Sequence, residues 1–251
     1  MAQTTKPAVK GAAPEGARDA QTAAVAVREM FSSIAPRYDL LNHLLSFNVD
    51  RLWWRRTARV FAHILVRSDA RVLDLCCGTG DMAFALRQQA GKTGPLILGA
   101  DFSHPMLQRA AQKSAGTPLC WVEADALRLP LPDDSLDLVT AAFGFRNLAD
   151  YDAGLREIAR VLRPGGEAGI LDFGEPGGVI GSVYRLYFRH ILPKVGTVIS
   201  GVKGPYRYLP ASVERFPAPG EMLERMRAAG FSEASWTSYT FGIAGLYRAR
   251  K

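Results

Sequence analysis

From residue 71 to residue 173 of this 251-residue chain, five short apolar runs alternate with stretches of helical spacing. No other feature restricts the fold as much. Parallel neighbours in a sheet need a long crossover, usually a helix, so the alternation predicts a parallel sheet with helices on both faces. Strands are expected at 71–75, 96–100, 119–123, 136–143 and 168–173. The run at 136–143 is apolar almost without interruption, as a strand covered on both faces should be. Ahead of the fifth strand, Leu155, Ile158, Ala159 and Leu162 recur at helical spacing until Pro164-Gly165-Gly166 stops the helix. A helix over 221–229, ended by Gly230, precedes two runs at 233–239 and 242–248 that read as a hairpin. The expectation is an α/β fold of Rossmann-like type, a mostly parallel seven-stranded sheet whose last two strands close as a hairpin.

The residues ahead of this core read differently. Residues 1–24 are rich in Ala, Thr, Lys and Pro without apolar periodicity, which predicts a disordered tail. Residues 25–66 show helical spacing divided by Pro36 and Ser46-Phe47-Asn48, which predicts an N-terminal cover of short helices. A single domain over 25–251 is therefore expected, with the Rossmann-like core over 67–251 and a helical lid insertion around 180–215. A hydrophobic fraction of 48% and a charged fraction of 22% are those of a globular chain. No uncharged run approaches the ~20 residues that span a bilayer, and the N-terminus lacks the apolar stretch of a secretion signal. Three cysteines, two of them adjacent, make a poor disulfide framework and predict a reducing, cytoplasmic setting. Neither Cys-x-x-Cys nor His-x-x-x-His spacing occurs, so no metal is expected. The whole net charge of +7 comes from residues 181–251, which hold 11 basic and 4 acidic side chains. Such a segment either meets an anionic partner or is a solvated surface.

In an open parallel sheet, ligands sit beyond the carboxyl ends of the strands. The stretch "VLDLCCGTGDMAFAL" puts Asp74 in the first strand, a glycine-rich turn after it, and then a helix that Asp81 can cap. Gly78, Gly80 and Ala83 satisfy the G-x-G-x-x-G/A fingerprint, and Asp101 ends the second strand where a ribose-binding acid belongs. Ser103 can cap the next helix in its place. Asp125 and Ala126 follow the third strand. Two cofactors fit this order, NAD and S-adenosylmethionine. For the second, Gly78, Thr79 and Gly80 admit the amino acid end close to the backbone. Asp101 accepts from both ribose hydroxyls, and Asp125 with the backbone of Ala126 clamps the adenine edge. Each residue alone has a plainer use as turn former or cap, but in this order they point to a bound cofactor. A short-chain dehydrogenase would add Tyr-x-x-x-Lys, and the single match, Tyr247 to Lys251, lies on an expected strand at the C-terminus. Base-methylating enzymes show an Asn-Pro-Pro-Tyr-like tetrad after the fourth strand. Here "AAFGFRNL" stands there, so no nucleic-acid partner is expected.

Longer stretches carry a resemblance. "MFSSIAPRYDLLNHLLSFNVDRLWWRR", "VLDLCCGTGD", "FGFRNL", "REIARVLRPGG" and "YRYLPASVERFP", spread over residues 28–249, resemble the menaquinone/ubiquinone biosynthesis C-methyltransferases, which are class I S-adenosylmethionine enzymes. "SGVKGPYRYLPASVERFP" is more similar to the menaquinone-specific members. The resemblance implies S-adenosylmethionine as methyl donor, with Thr79, Asp101, Asp125 and Ala126 among its contacts. It implies methylation of a ring carbon on a polyprenyl demethylmenaquinol, with a ubiquinone-pathway benzoquinol as the near alternative. Some members add a cofactor-contacting serine where this chain has Ala142, so that contact is not carried over. An NAD-dependent oxidoreductase stays open as the alternative of another class.

An aromatic carbon becomes a good nucleophile once the neighbouring hydroxyl loses its proton, and a free phenol has a pKa of about 10. Arg146 and Asn147, just after the fourth strand, are the candidates to hold the resulting quinolate, Arg146 by its charge and Asn147 by orienting the oxygen. Arg146 also has a plainer use, as ion-pair partner of Asp150 or Asp152. Tyr38, in the N-terminal cover, is a candidate to touch the ring or relay a proton, or else a core residue. His43, His63, His104 and His190 form no paired arrangement. A polyprenyl quinol lives in a bilayer, so peripheral contact with membrane lipid on the inner face is expected. Trp53, Trp54, Tyr184, Tyr187, Phe188 and Ile191 would supply apolar contact or else pack into the core, and Arg185, Arg189, Lys194, Lys203 and Arg207 would meet anionic headgroups or else be solvated.

Overall fold

A computed structural model of the chain describes residues 10–35, 46, 48–174, 176–178, 181, 186 and 205–251. Among the described residues three helices come first: α1 (Ala20–Ile34), α2 (Val49–Val60) and α3 (Ala62–Leu65). The alternating core follows as β1 (Val72–Leu75), α4 (Asp81–Ala90), β2 (Ile97–Asp101), α5 (His104–Lys113), β3 (Leu119–Glu123), β4 (Leu136–Ala142), α6 (Tyr151–Val161) and β5 (Leu162–Phe173). After it come α7 (Pro205–Arg215), α8 (Pro219–Ala228), β6 (Glu233–Tyr239) and β7 (Ala244–Arg250). The seven strands lie in the order β3-β2-β1-β4-β5-β7-β6. β1 to β5 are parallel, and β7 runs antiparallel between β5 and β6. This is the Rossmann-like plan expected from the sequence. β1 pairs with both β2 and β4, so the order reverses there and a crevice opens at their carboxyl ends.

Alternate residues of the same strands feed two apolar layers. Leu73, Leu75, Val139 and Ile170 meet Leu155 and Ile158 of α6 and Met222 and Met226 of α8. Val72, Leu138 and Leu171 meet Trp53, Trp54 and Phe61, together with Met82 and Leu86 of α4. Trp53 and Trp54 are therefore core residues, 4% and 8% exposed, and not the lipid contacts expected of them. Among the described residues no helix is long and apolar enough to cross a membrane.

β3 and β6 have the expected bounds, and the other strands move by one to a few residues. β5 departs most, starting at Leu162 and not at residue 168. Leu162 pairs with Leu136, and the register then shifts before Leu138 pairs with Glu167. Within the shifted stretch Gly165, at φ +79°, donates its N–H to Lys251 O at 2.9 Å, and Lys251 returns a bond to Gly166 O at 3.0 Å. The C-terminal residue thus holds Pro164-Gly165-Gly166 as a bulge inside the strand, and Leu162 leaves the helix for the sheet.

The described part of the tail expected to be disordered over 1–24, residues 10–24, departs from that expectation. α1 begins at Ala20 because Asp19 and Thr22 cap it reciprocally, Asp19 Oδ1 accepting from Thr22 N–H at 2.8 Å and Thr22 Oγ1 from Asp19 N–H at 3.2 Å. Ahead of the helix, Lys10 pairs with Asp150 and Ala12 donates to Leu148 O at 2.7 Å. Residues 36–45, with Tyr38, and 187–204, within the expected lid, lie outside the described residues, as do Tyr184, Arg185 and the side chain of Arg207.

Candidate active site

A cavity of about 670 Å³ lies at the carboxyl ends of β1 to β4. α1 covers it with Ala24, Arg28 and Phe31, and α7 with Tyr208 and Leu209. One half of it is built by the turn after β1. Cys76, Gly78 and Gly80 take left-handed φ of 53°, 54° and 92°. Gly80, not Asp81, is the N-cap of α4, and no side chain caps it. A Cβ at Gly80 would lie 2.5 Å from the Trp121 ring, so glycine is needed for close approach as well as for φ. Asp81 pairs instead with Lys113 at 2.8 Å, and Lys113 also donates to Thr79 Oγ1 at 3.3 Å.

Asp101 ties this turn to the end of β2. Its Oδ2 accepts from Gly78 N–H and its Oδ1 from Ser103 N–H, both at 2.9 Å, which leaves further lone pairs on each oxygen. Burial raises its pKa to about 6 against those two bonds. Ser103 holds the N-cap position of α5 without a side-chain cap bond, contrary to expectation, and its hydroxyl lies 2.9 Å from that of Ser32 on α1. Asp74 is fully buried. Thr140 Oγ1 donates to its Oδ1 at 2.8 Å, while Oδ2 has no partner among the described residues, and burial raises its pKa to about 7. Asp125 is exposed and accepts from Leu127 N–H at 2.9 Å, with Ala126 buried beside it. Asp74, Gly78, Thr79, Asp101, Asp125 and Ala126 all line the cavity, whereas Gly80 sits behind it against Trp121.

The turn after β4 builds the other half. Phe143 takes a left-handed φ of 56°, a strained conformation for a bulky residue. A Cβ on Gly144 would lie 2.4 Å from Cys76 Cβ, so the two turns abut. Phe145 is fully buried against Tyr151 and Phe216, and Tyr151 donates its hydroxyl to Arg146 O at 2.9 Å, which fixes the turn from below. Arg146 Nη1 donates to Asp172 Oδ1 at 2.9 Å and to the Phe143 carbonyl. Its ion-pair partner is thus Asp172 on β5, not Asp150 or Asp152. Asp150 caps α6 through Ala153 N–H at 2.9 Å, and Asp152 pairs with Arg225 at 2.7 Å. Burial raises the Asp172 pKa, with Arg146 opposing.

Three buried polar atoms here have no hydrogen-bond partner among the described residues: Arg146 Nε, Asn147 Oδ1 and the Tyr208 hydroxyl. All three residues line the cavity, next to the aromatic wall of Trp53, Phe143 and Phe173. Tyr208 escaped sequence reasoning because a tyrosine in a helical stretch looks the same whether it packs or reacts. The arrangement offers a glycine turn with carboxylates on one side, and unpaired donors and an acceptor beside aromatic rings on the other. That suits a nucleoside-bearing cofactor facing an aromatic substrate with an ionisable oxygen.

The pattern that defines the ubiE/COQ5 methyltransferase family matches residues 17–251. The chain is 50% identical over 232 residues to the demethylmenaquinone methyltransferase of Deinococcus radiodurans, covering 91% of this chain and 94% of that one. It is 52% identical over 221 residues to the demethylmenaquinone methyltransferase of Thermus thermophilus, covering 87% and 98%. In structure it is similar to a SAM-dependent methyltransferase of Thermotoga maritima, with TM-score 0.63, 18% identity and 90% and 99% of the two chains covered, a likeness of fold alone.

Proposed function

The chain belongs to the ubiE/COQ5 methyltransferase family, and we propose that it moves a methyl group from S-adenosylmethionine to a ring carbon of a demethylmenaquinol carrying a polyprenyl tail. The names of the two relatives support the substrate, and family membership displaces the NAD-dependent alternative. The observation that carries the chemistry is that Arg146 and Asn147 line the cavity beside Trp53, Phe143 and Phe173, with Arg146 Nε and Asn147 Oδ1 buried and without a partner among the described residues.

The other half of the cavity fits the cofactor. Gly78 and Thr79 bring backbone to the cavity surface without bulk, Asp101 keeps free lone pairs for ribose hydroxyls, and Asp125 with Ala126 borders the place for the adenine edge. When bound, S-adenosylmethionine supplies an electrophilic methyl group on a sulfonium. The protein's part is to make the ring carbon nucleophilic. Asn147 Oδ1 accepts from the quinol hydroxyl and orients it, and the Arg146 guanidinium then stabilises the oxygen as its proton passes to water. The Asp172 pair and the Tyr151 hydroxyl keep Arg146 in place. As the ring carbon gains the methyl group its own proton passes to water, and the phenolic oxygen regains one. Tyr38 keeps its proposed role as ring contact or proton relay. Holding two reactants in line can supply about 7–11 kcal/mol.

The prenyl tail calls for contact with a bilayer. The exposed face of α2 carries Arg51, Leu52, Arg55, Arg56 and Arg59. Arg56 lies over the Tyr239 ring at 4.2 Å, and Phe241, two residues further on, is 76% exposed. These arginines would each gain about 1 kcal/mol near an anionic surface. The function is tested with methyl-labelled S-adenosylmethionine and chemically reduced demethylmenaquinone, with the oxidised quinone as control and a ubiquinone-pathway benzoquinol as second acceptor. Label in the reduced demethylmenaquinone alone is expected. No label there, in protein shown to bind the cofactor, would overturn the quinol assignment.

A further inference from the structure

We propose that Tyr208 is a third substrate-contacting residue, its hydroxyl donating a hydrogen bond to the same quinol oxygen that Arg146 stabilises. This rests on the quinol methylation argued above. α7 packs Tyr208 against the turn that carries Arg146 and Asn147. Tyr208 lines the cavity, yet its hydroxyl is buried and finds no partner among the described residues. A buried hydroxyl without a partner is unfavourable, and packing among the described residues gives no reason to hold one there.

The three unpartnered atoms also differ in kind. Arg146 Nε and the Tyr208 hydroxyl are donors, and Asn147 Oδ1 is an acceptor. An ionising phenol needs an acceptor while it keeps its proton and donors once it has lost it. One acceptor and two donors on a single wall answer both needs. Among the described residues, the charged and titratable groups felt by Tyr208 are Arg146 on the turn, Asp172 on β5, Arg215 on its own helix and Tyr151 on α6. Burial outweighs the two arginines and raises the Tyr208 pKa to about 12. It therefore keeps its proton near neutrality and acts as a donor, not as a base.

The test is Tyr208→Phe in the full chain, compared with wild type on reduced demethylmenaquinone between pH 7 and pH 10. Cofactor affinity by calorimetry and thermal stability are measured alongside. The variant loses no hydrogen bond to the described residues, so its melting temperature should be unchanged or higher. Its cofactor affinity should match wild type, while kcat/KM at pH 7 falls on the order of 10- to 100-fold. That deficit should narrow as pH rises, because hydroxide then supplies the ionisation that Tyr208 had favoured. Wild-type kcat/KM within twofold at pH 7 would overturn the proposal. So would a deficit equal at every pH, accompanied by a lower melting temperature or weaker cofactor binding. A wild-type enzyme inactive on the reduced quinone would overturn the quinol reading itself, and this role with it.

Discussion

Arg146 and Asp172 are joined twice across the end of the sheet, Nη1 to Oδ1 at 2.9 Å and backbone N–H to Oδ2 at 3.2 Å, and both are buried. The two partners are not equivalent when one is removed. Arginine cannot shed its charge, whereas a stranded aspartate can take up a proton. Asp172→Asn should therefore cost about 3–5 kcal/mol of stability at neutral pH. Arg146→Met should cost less, and less still at low pH. In that variant the folded-state pKa of Asp172 rises further, so the folded protein holds a proton that the unfolded chain has lost, and stability falls as pH rises. Urea unfolding at pH 5.5 and pH 8 would show it, and equal, pH-independent costs would contradict it.

Asp74 gives a second dependence on pH. Its pKa of about 7 stands above the ordinary 3.8, so between those values the folded state binds a proton that the unfolded state does not. Its contribution to stability therefore declines as pH rises through that window and is flat above it. Asp74→Asn lacks the slope. The melting temperature of the variant relative to wild type should climb from pH 4.5 to pH 8, and a constant offset would refute the assignment.

Asp101 should make cofactor binding sensitive to acid. Only its ionised form accepts from two ribose hydroxyls, and burial places its pKa at about 6. Affinity for S-adenosylhomocysteine is expected to fall as pH drops through that value. Asp101→Asn should weaken binding by roughly 10- to 100-fold at pH 8 and abolish the pH dependence, since a bond to a charged group is worth about 1.5–3 kcal/mol. Calorimetric titration at several pH values decides the matter.

Gly144→Ala separates geometry from stability. The glycine has an ordinary φ of −111°, so its role is purely spatial: an added Cβ would press on Cys76 Cβ at 2.4 Å. Parting the two turns should cost about 1–3 kcal/mol. Shifting Arg146 relative to the cofactor should cost on the order of 100-fold in kcat. A variant as active as wild type would show that the abutment does not align the reactants.

The sheet was legible because strand burial writes itself into local periodicity, as in the unbroken apolar run of β4. What stayed hidden depends on residues far apart in sequence. β5 starts early because Lys251, at the other end of the chain, bonds to Gly165 and Gly166. Asp150 and Asp152 looked like partners for Arg146 only because they are near in sequence, whereas the β4–β5 pairing is what delivers Asp172. The start of α1 carried a readable Asp-x-x-Thr cap, obscured by an alanine-rich composition without apolar spacing. The residues proposed to hold the cofactor were picked out by strand-end position, and all but Gly80 line the cavity. Of those proposed to meet the substrate, Arg146 and Asn147 were within reach of the sequence, but Tyr208 was not, since a missing hydrogen bond has no signature in a sequence.

The N-terminal stretch that composition marks as expendable is fastened at both ends of the cavity. Residues 10–12 run beside 148–150, past the end of β4, while Ser32 and Arg28 reach Ser103 and Glu123 at the far side, by β2 and β3. The Arg28–Glu123 pair is about half exposed and worth little alone, so what holds the span is its two separate moorings. Trimming the chain back to the start of α2 would leave the sheet and its two layers standing but strip the ceiling from the reaction chamber. Water would then reach an electrophile that a methyltransferase must keep for its own substrate.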